Sequence, residues 1–464
     1  MRRDLKNLKY VFGPRSVAVI GASEKPTKLG NVILKNFVDG KFAGKIYPVN
    51  PKHESLLGLK CYPSITKVPG KVDLAIFAVP AHAVPKIAAQ CGRKGVRGAV
   101  VLSAGFGEVG NRKLEEELKK AVQKYNIAMI GPNCLGVMNP LKKVDSIFFP
   151  FYKFERPPPG DISFVTQSGG VGTCVADLAS HYGIGISKFI SYGNGASIDE
   201  ADLIEYLSED KETKQILLYI EGTRDGRKLM EAMMRANLKK PVIVLKAGRT
   251  EGASEAAKSH TGKLAGSYLA YQAAFRQSKV IEVEGLSELF HVVNAFSQPM
   301  PKGKRVAVLT NGGGLGVLTA DSLEASGLEL AKLSAKTKRA VVSTLPKGWT
   351  AGNPIDLIAD ATSEDYYKAV RALVDDEGVD SIIVIILFQA PALDSRVLNV
   401  LLGASDERRK PIFVVAVGGD YTEENRKVLD SHGIPTYDSP AYAASSLKRF
   451  TDYALSMRKT KKKG

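Results

Sequence analysis

The chain has 464 residues, 44% of them hydrophobic, and a formal charge of +17 at pH 7. That length suits about three domains of roughly 150 residues. No apolar run reaches the ~18 residues of a membrane span, so no membrane partner is expected. The basic residues are spread along the chain, with one dense run at Arg458-Lys-Thr-Lys-Lys-Lys-Gly464. No RNA-binding motif accompanies them, so no nucleic-acid partner is expected and the charge fits small anionic ligands better.

The N-terminus leads into Val17-Ala-Val-Ile20, too short for a signal-peptide core, and a cytoplasmic protein is expected. Cys61, Cys91, Cys134 and Cys174 form no CxxC and read as small apolar fillers. The six histidines do not cluster, so no metal site is expected.

Residues 14–150 alternate strand and helix. Val17–Ile20, Ile46–Asn50, Leu74–Val79, Gly98–Leu102 and Ala128–Ile130 read as buried parallel strands. Ligands of such sheets bind at the carboxyl ends of strands. Those ends here are Gly21-Ala-Ser23, Asn50-Pro-Lys52, Val79-Pro-Ala81, Ser103-Ala-Gly105 and Gly131-Pro-Asn133. The first loop departs from the dinucleotide fingerprint: Ser23 stands where GxGxxG needs glycine, and Asn50 replaces the ribose-binding acid. With Lys25, Lys28 and Lys52 nearby, coenzyme A fits better than NAD.

Arg156-Pro-Pro-Pro-Gly160 reads as a stiff linker, and Gln298-Pro-Met-Pro-Lys-Gly303 as a second boundary. Domains are therefore expected at 1–155, 156–299 and 300–464. The second and third resemble each other. Ile162–Gly172 matches Val306–Gly316, Asp177 matches Asp321, and Lys240-Pro241 matches Lys410-Pro411. The same comparison sets Gly193-Asn194 against Gly352-Asn353, and Glu221 against Gln389.

The duplicated stretches, Thr166–Gly172 and Thr310–Gly316, each predict a strand, a glycine loop and a helix N-terminus. Such ends offer free N–H groups and a positive dipole to an anion. Thr166, Gln167, Ser168, Gly169, Asn311, Gly312, Gly313 and Gly314 are therefore candidate phosphate-binding residues. Two such ends could converge on one phosphoryl group.

Lys258-Ser-His-Thr-Gly-Lys-Leu-Ala-Gly-Ser267 holds one imidazole among small residues and two lysines. A neutral imidazole nitrogen is a nucleophile, and this frame suits a phosphoryl group. The other ring nitrogen needs a carboxylate partner, and Glu221 stands at a strand end where one would be useful. His260 and Glu221 are the candidate catalytic pair. No Walker sequence is present.

Together these stretches resemble the α subunit of archaeal ADP-forming acetyl-CoA synthetase (acetate–CoA ligase), in the superfamily of NDP-forming acyl-CoA synthetases that includes succinyl-CoA synthetase. The marks are Ser16–Ser23, Lys45–Asn50, Gly131–Asn133, Gln167–Gly169, Lys246–Arg249, Ser259–Gly262, Thr310–Gly314 and Asn353–Asp356. The resemblance implies an α/β chain of three doubly wound domains: a Rossmann-like CoA-binding domain and two flavodoxin-like domains of the succinyl-CoA-synthetase type. It implies that Gly21, Ala22, Ser23, Lys52, Ser103 and Ala104 contact CoA. Val79, Pro80 and Asn133 join them as strand-end candidates. It makes His260 a transient phosphohistidine stabilised by Glu221, and expects ADP or ATP with Mg on a separate ATP-grasp β subunit in an α2β2 assembly. The substrates would be acetyl-CoA or another acyl-CoA and phosphate. Two rival readings use the same residues: an NAD(P)-dependent oxidoreductase, and a non-enzymatic CoA-binding or CoA-sensing protein.

Overall fold

Short apolar runs such as Ser16–Ile20, Gln215–Ile220 and Ser381–Ile385 are buried along their whole length, as strands covered on both faces must be. In the computed structural model they build three sheets. The structure describes residues 5–253, 267–345 and 351–461. These fall into two units, Met1–Val283 and Glu284–Gly464. Among the described residues, no helix is long and apolar enough to cross a membrane.

The first sheet has five parallel strands in the spatial order Lys45–Val49, Ser16–Ile20, Leu74–Phe77, Gly98–Val101 and Ala128–Ile130. The order reverses beside Ser16–Ile20. The crossovers on either side of that strand diverge and leave a crevice at the carboxyl ends.

The second sheet lies in the same unit. Its parallel strands run in the order Ile281–Val283, Val242–Lys246, Gln215–Ile220, Pro159–Thr166 and Ile186–Ser191. Gly136–Asn139 and Val144–Asp145 extend it by antiparallel pairing. The chain has therefore crossed into the second sheet twenty residues before the proline-rich stretch, counting from Gly136 to Arg156. That stretch is anchored rather than free. Arg156 donates from Nε to Asp145 at 2.8 Å and from its other nitrogens to the carbonyls of Phe154 and Phe149.

The third sheet, in the second unit, repeats the second. Glu329–Leu330 and Ile355–Asp356 both pair with Arg305–Thr310 and together take the place of Ile186–Ser191. Ser381–Ile385, Ile412–Val415 and Thr436–Tyr437 follow on the other side. The helices Leu286–Ala295 and Gly313–Ala325 pack on the long Pro440–Lys461, so Leu286–Ala295 belongs with this unit.

The duplication extends to individual side chains. A Cβ at Gly172 would lie 2.8 Å from the Thr166 methyl, and one at Gly316 would lie 3.1 Å from the Thr310 methyl. Each glycine lets its helix rest directly on the preceding strand. Lys240 donates to the carbonyls of Leu207, at 2.7 Å, and Asp210. Lys410 donates to those of Leu373, at 2.8 Å, and Asp376. Each lysine caps the C-terminus of the helix that precedes its neighbouring strand.

Two correspondences read from the sequence shift. Thr166 pairs with Tyr219, and Thr310 with Ile385, so counting two residues on from each places Glu221 opposite Leu387, not Gln389. The amide bonds agree. Gln167 accepts from the N–H of Glu221, and Asn311 from that of Leu387. Likewise Val165 pairs with Ile190, and Leu309 with Ile355. Asn194 therefore follows its strand, whereas Asn353 precedes the equivalent one. Similar local letters on opposite sides of a strand produced that false match.

Candidate active site

At Ile20 a buried strand must turn into the loop that leads to helix Leu29–Asp39. Gly21 makes the turn at φ +88°, where an added Cβ would collide with the Ala78 carbonyl. Asn50 donates from Nδ2 to the Ala22 carbonyl at 2.7 Å. It therefore ties two strand ends together. Gly21, Ser23, Lys52, Val79 and Pro80 line a cavity of about 670 Å³ at this crevice, joined by Lys25 and Lys28. Three lysines at one opening suit a phosphorylated ligand. Ala22 is fully buried and shapes the loop from behind.

The other expected CoA residues, Ser103, Ala104 and Asn133, line a second cavity of about 570 Å³. Leu29 borders both cavities, so they adjoin. Gln167, Ser168, Gly169 and Glu221 also line the second one, together with an apolar set that includes Leu135, Phe148 and Phe149. The structure thus brings strand-end loops of the first sheet and the glycine loop of the second to one space.

Those loops are fastened together. Ser103 donates from Oγ to the Val79 carbonyl at 2.5 Å, and the N–H of Asn133 donates to the Ser103 carbonyl at 3.0 Å. Asn194 donates to Glu108 at 2.6 Å and to Glu115 at 2.9 Å. Arg224 reaches Glu115 at 2.8 Å. Burial pushes the Glu108 carboxyl up, but hydrogen bonds from Asn194 and from backbone N–H groups outweigh it and hold the group below its ordinary value. Sequence reasoning missed this clamp, because its members are scattered over more than a hundred residues.

Ser168 caps helix Gly169–His181 by accepting from the N–H of Val171 at 3.3 Å. The N–H groups of the first turn have no acceptor within the helix, and Gly169 and Gly170 line the cavity. Thr166 is fully buried, and its hydroxyl donates to the Ser168 carbonyl at 2.8 Å. It shapes the loop and does not face the cavity.

Glu221 is 7% exposed and follows strand Gln215–Ile220. Gln167 Oε1 accepts from the N–H groups of Glu221, at 2.9 Å, and Gly222, at 3.1 Å. Lys246 donates from Nζ to the Glu221 carbonyl at 2.8 Å. Tyr271 Oη accepts from the N–H of Thr223 at 2.9 Å. Lys246 and Tyr271 were given no role from the sequence; the available signal was a lysine closing the otherwise apolar strand Val242–Lys246.

In the second unit, Asn311 accepts from the Leu387 N–H at 2.8 Å and donates to the Leu387 carbonyl at 3.2 Å. Its side chain therefore braces the loop, and its backbone N–H is engaged by the buried Tyr366 hydroxyl. Gly312 donates its N–H to Thr310 Oγ1 at 2.9 Å. Helix Gly313–Ala325 begins there, with space beside Gly314. His260, with Lys258 and Lys263, lies outside the described residues. Burial pushes the thiols of Cys91 and Cys134 up to about 12, which leaves them poor nucleophiles.

Residues 15–140 match the family model of a CoA binding domain. Residues 159–296 match the succinyl-CoA ligase like flavodoxin domain, and 306–447 the ligase-CoA domain. The chain is 42% identical to subunit alpha of ADP-forming acetate–CoA ligase II from Pyrococcus furiosus, over 95% of this chain and 96% of that one. Against subunit alpha of ligase I from the same organism it is 38% identical, over 98% and 100%. ADP-forming acetate–CoA ligase I of Archaeoglobus fulgidus is 40% identical over 96% of this chain, which spans 64% of that longer protein. A solved structure of dinucleotide forming acetyl-coenzyme A synthetase 1 from Ca. Korarchaeum cryptofilum, in complex with phosphate and ADP, is 35% identical. It matches with a TM-score of 0.92 over 98% of both chains. The chain belongs to the ADP-forming acetate–CoA ligase family and has the extent of its separate alpha subunits.

Proposed function

We propose that this chain is the CoA-binding, phosphoryl-carrying subunit of a cytoplasmic ADP-forming acyl-CoA synthetase. It works with an ATP-grasp subunit that holds ADP or ATP with Mg, in an α2β2 assembly. The domain built on the first sheet binds CoA, that on the second sheet carries the phosphohistidine, and that on the third sheet is the ligase-type domain. The observation that carries this reading is the second cavity, where the CoA-side loops, a helix N-terminus and the buried Glu221 share one space.

CoA lies in the first cavity, with its phosphates toward Lys25, Lys28 and Lys52 and its thioester reaching the second. Phosphate, gripped by the first-turn N–H groups after Ser168, attacks the acyl carbon. The C–S bond breaks, the thiol leaves with a proton, and an acyl phosphate forms. His260 then attacks phosphorus, and the P–O bond to the carboxylate breaks. Glu221 stabilises the resulting phosphoimidazole. The phosphoryl group passes to ADP on the partner.

The test is ATP formation from acetyl-CoA, ADP and phosphate by the chain combined with its ATP-grasp subunit. Neither subunit alone is expected to turn over. Lys52→Ala is expected to raise the KM for acetyl-CoA about tenfold at little cost to kcat, as loss of a ground-state contact does. CoA binding without ATP formation by the combined subunits would support the sensing alternative instead.

A further inference from the structure

We infer that Lys246 is a positioning residue for phosphoryl transfer, fixing Glu221 through that residue's own carbonyl and setting a buried positive charge behind it. This rests on the stabilising role proposed for Glu221.

Lys246 is 2% exposed. A cation buried that far costs stability unless it is well paired. Its Nζ donates to the carbonyls of Glu221 and Ala247 and lies 4.6 Å from the Tyr271 ring centre. Three side chains from three elements thus hold residues 221–223. Gln167 takes two N–H groups, Lys246 takes the carbonyl, and Tyr271 takes the last N–H.

The duplicate shows how little of this the fold requires. There, Asn311 accepts from the N–H of Leu387, the counterpart of Glu221, and the Leu387 carbonyl accepts from Asn311 and from the Ala390 N–H. Tyr219 pairs with Leu245, and Ile385 with Val415, so the counterpart of Lys246 is Ala416, which is also fully buried. Neutral groups alone therefore brace this strand end in the second copy. The capping lysines Lys240 and Lys410, by contrast, occur in both copies. The buried cation is confined to the copy that carries the carboxylate. Burial lowers the Lys246 amine to about 8, and the Glu221 charge draws it back upward. A fixed cation here offsets the repulsion between the carboxylate and an arriving phosphoryl dianion, with no reorganisation at the moment of transfer.

The experiment follows histidine labelling by rapid quench, using the full chain with its ATP-grasp subunit, acetyl-CoA and radiolabelled phosphate. Lys246→Met is expected to slow labelling about tenfold or more while the KM for acetyl-CoA stays within about twofold. Lys410→Met, which removes a purely structural lysine cap, is expected to lower the melting temperature yet label at the wild-type rate. In a Glu221→Gln background, Lys246→Met is expected to add less than about twofold, since residues acting through one another are non-additive. Labelling of Lys246→Met at the wild-type rate, or a multiplicative double variant, overturns the inference. If Lys246→Met does not fold, Lys246→Gln decides, because it keeps a donor and loses the charge: slowed labelling supports the inference and wild-type labelling overturns it. A wild type that carries no histidine label removes the role of Glu221 and this inference with it; a labelled wild type beside a normally labelled Lys246 variant overturns this inference alone.

Discussion

Glu221 stands out in the sequence because it sits at the carboxyl end of a strand, the place this architecture favours for functional groups. The structure adds that its backbone is braced on both sides and that it faces a cavity shared with Gln167 and Ser168. Glu221→Gln keeps the shape and removes the charge. It is expected to lower kcat about 10²- to 10³-fold, the range for losing one preorganised electrostatic group, with the KM for acetyl-CoA little changed. Equal loss in kcat and in CoA affinity would instead mark it as part of the binding site. Lys246 was not legible, since a lysine after Val242-Ile-Val-Leu245 reads as an ordinary exposed strand end. Only the fold shows that its amine turns inward over Tyr271. Asn311, a candidate phosphate contact in the sequence, uses its side chain to brace the neighbouring strand end.

At the scale of elements, glycine has two different jobs. Gly172 brings helix Gly169–His181 onto Thr166 and Phe189, where an added Cβ would lie 2.8 and 2.9 Å from their side chains. Gly172→Ala is expected to destabilise by about 1–3 kcal/mol, as overpacking does. Gly403 lies inside helix Arg396–Asp406, exposed and with open space around it. Gly403→Ala is expected to stabilise by about 0.5–1 kcal/mol through helix propensity. Calorimetry of the two variants should move the melting temperature in opposite directions, and a shared direction would refute this division. The lysine caps make a pH prediction. Burial lowers Lys410 to about 8, below the value of about 10.4 for a lysine in the unfolded chain. Between those values the unfolded chain binds more protons, so the stability contributed here rises with pH. The stability gap between wild type and Lys410→Met is expected to widen from pH 8 to pH 10, and a narrowing gap would contradict the assignment. Most strands were readable from their β-branched runs. Pairing register was not, which is why Glu221 was set against Gln389 when register places it opposite Leu387.

At the scale of the whole chain, the duplication was readable because glycine loops and Lys-Pro pairs recur in the same order. The path between sheets was not. Residues 136–145 carry no composition change to mark their entry into the second sheet, and their antiparallel pairing is set by contacts distant in sequence. The two cavities of the first unit share Leu29 as a wall, which sets the one lined by Lys25, Lys28 and Lys52 beside the one lined by Glu221. The second copy kept the braced glycine loop and carries neither the carboxylate nor the buried lysine. The single phosphoryl carrier proposed for the first copy would account for that asymmetry. Mapping the phosphorylated residue by mass spectrometry, after incubating the combined subunits with acetyl-CoA and phosphate, tests this most directly. Phosphate on His260, labile to acid and abolished by His260→Ala, is the expected result; undiminished phosphorylation of the His260→Ala chain would contradict it.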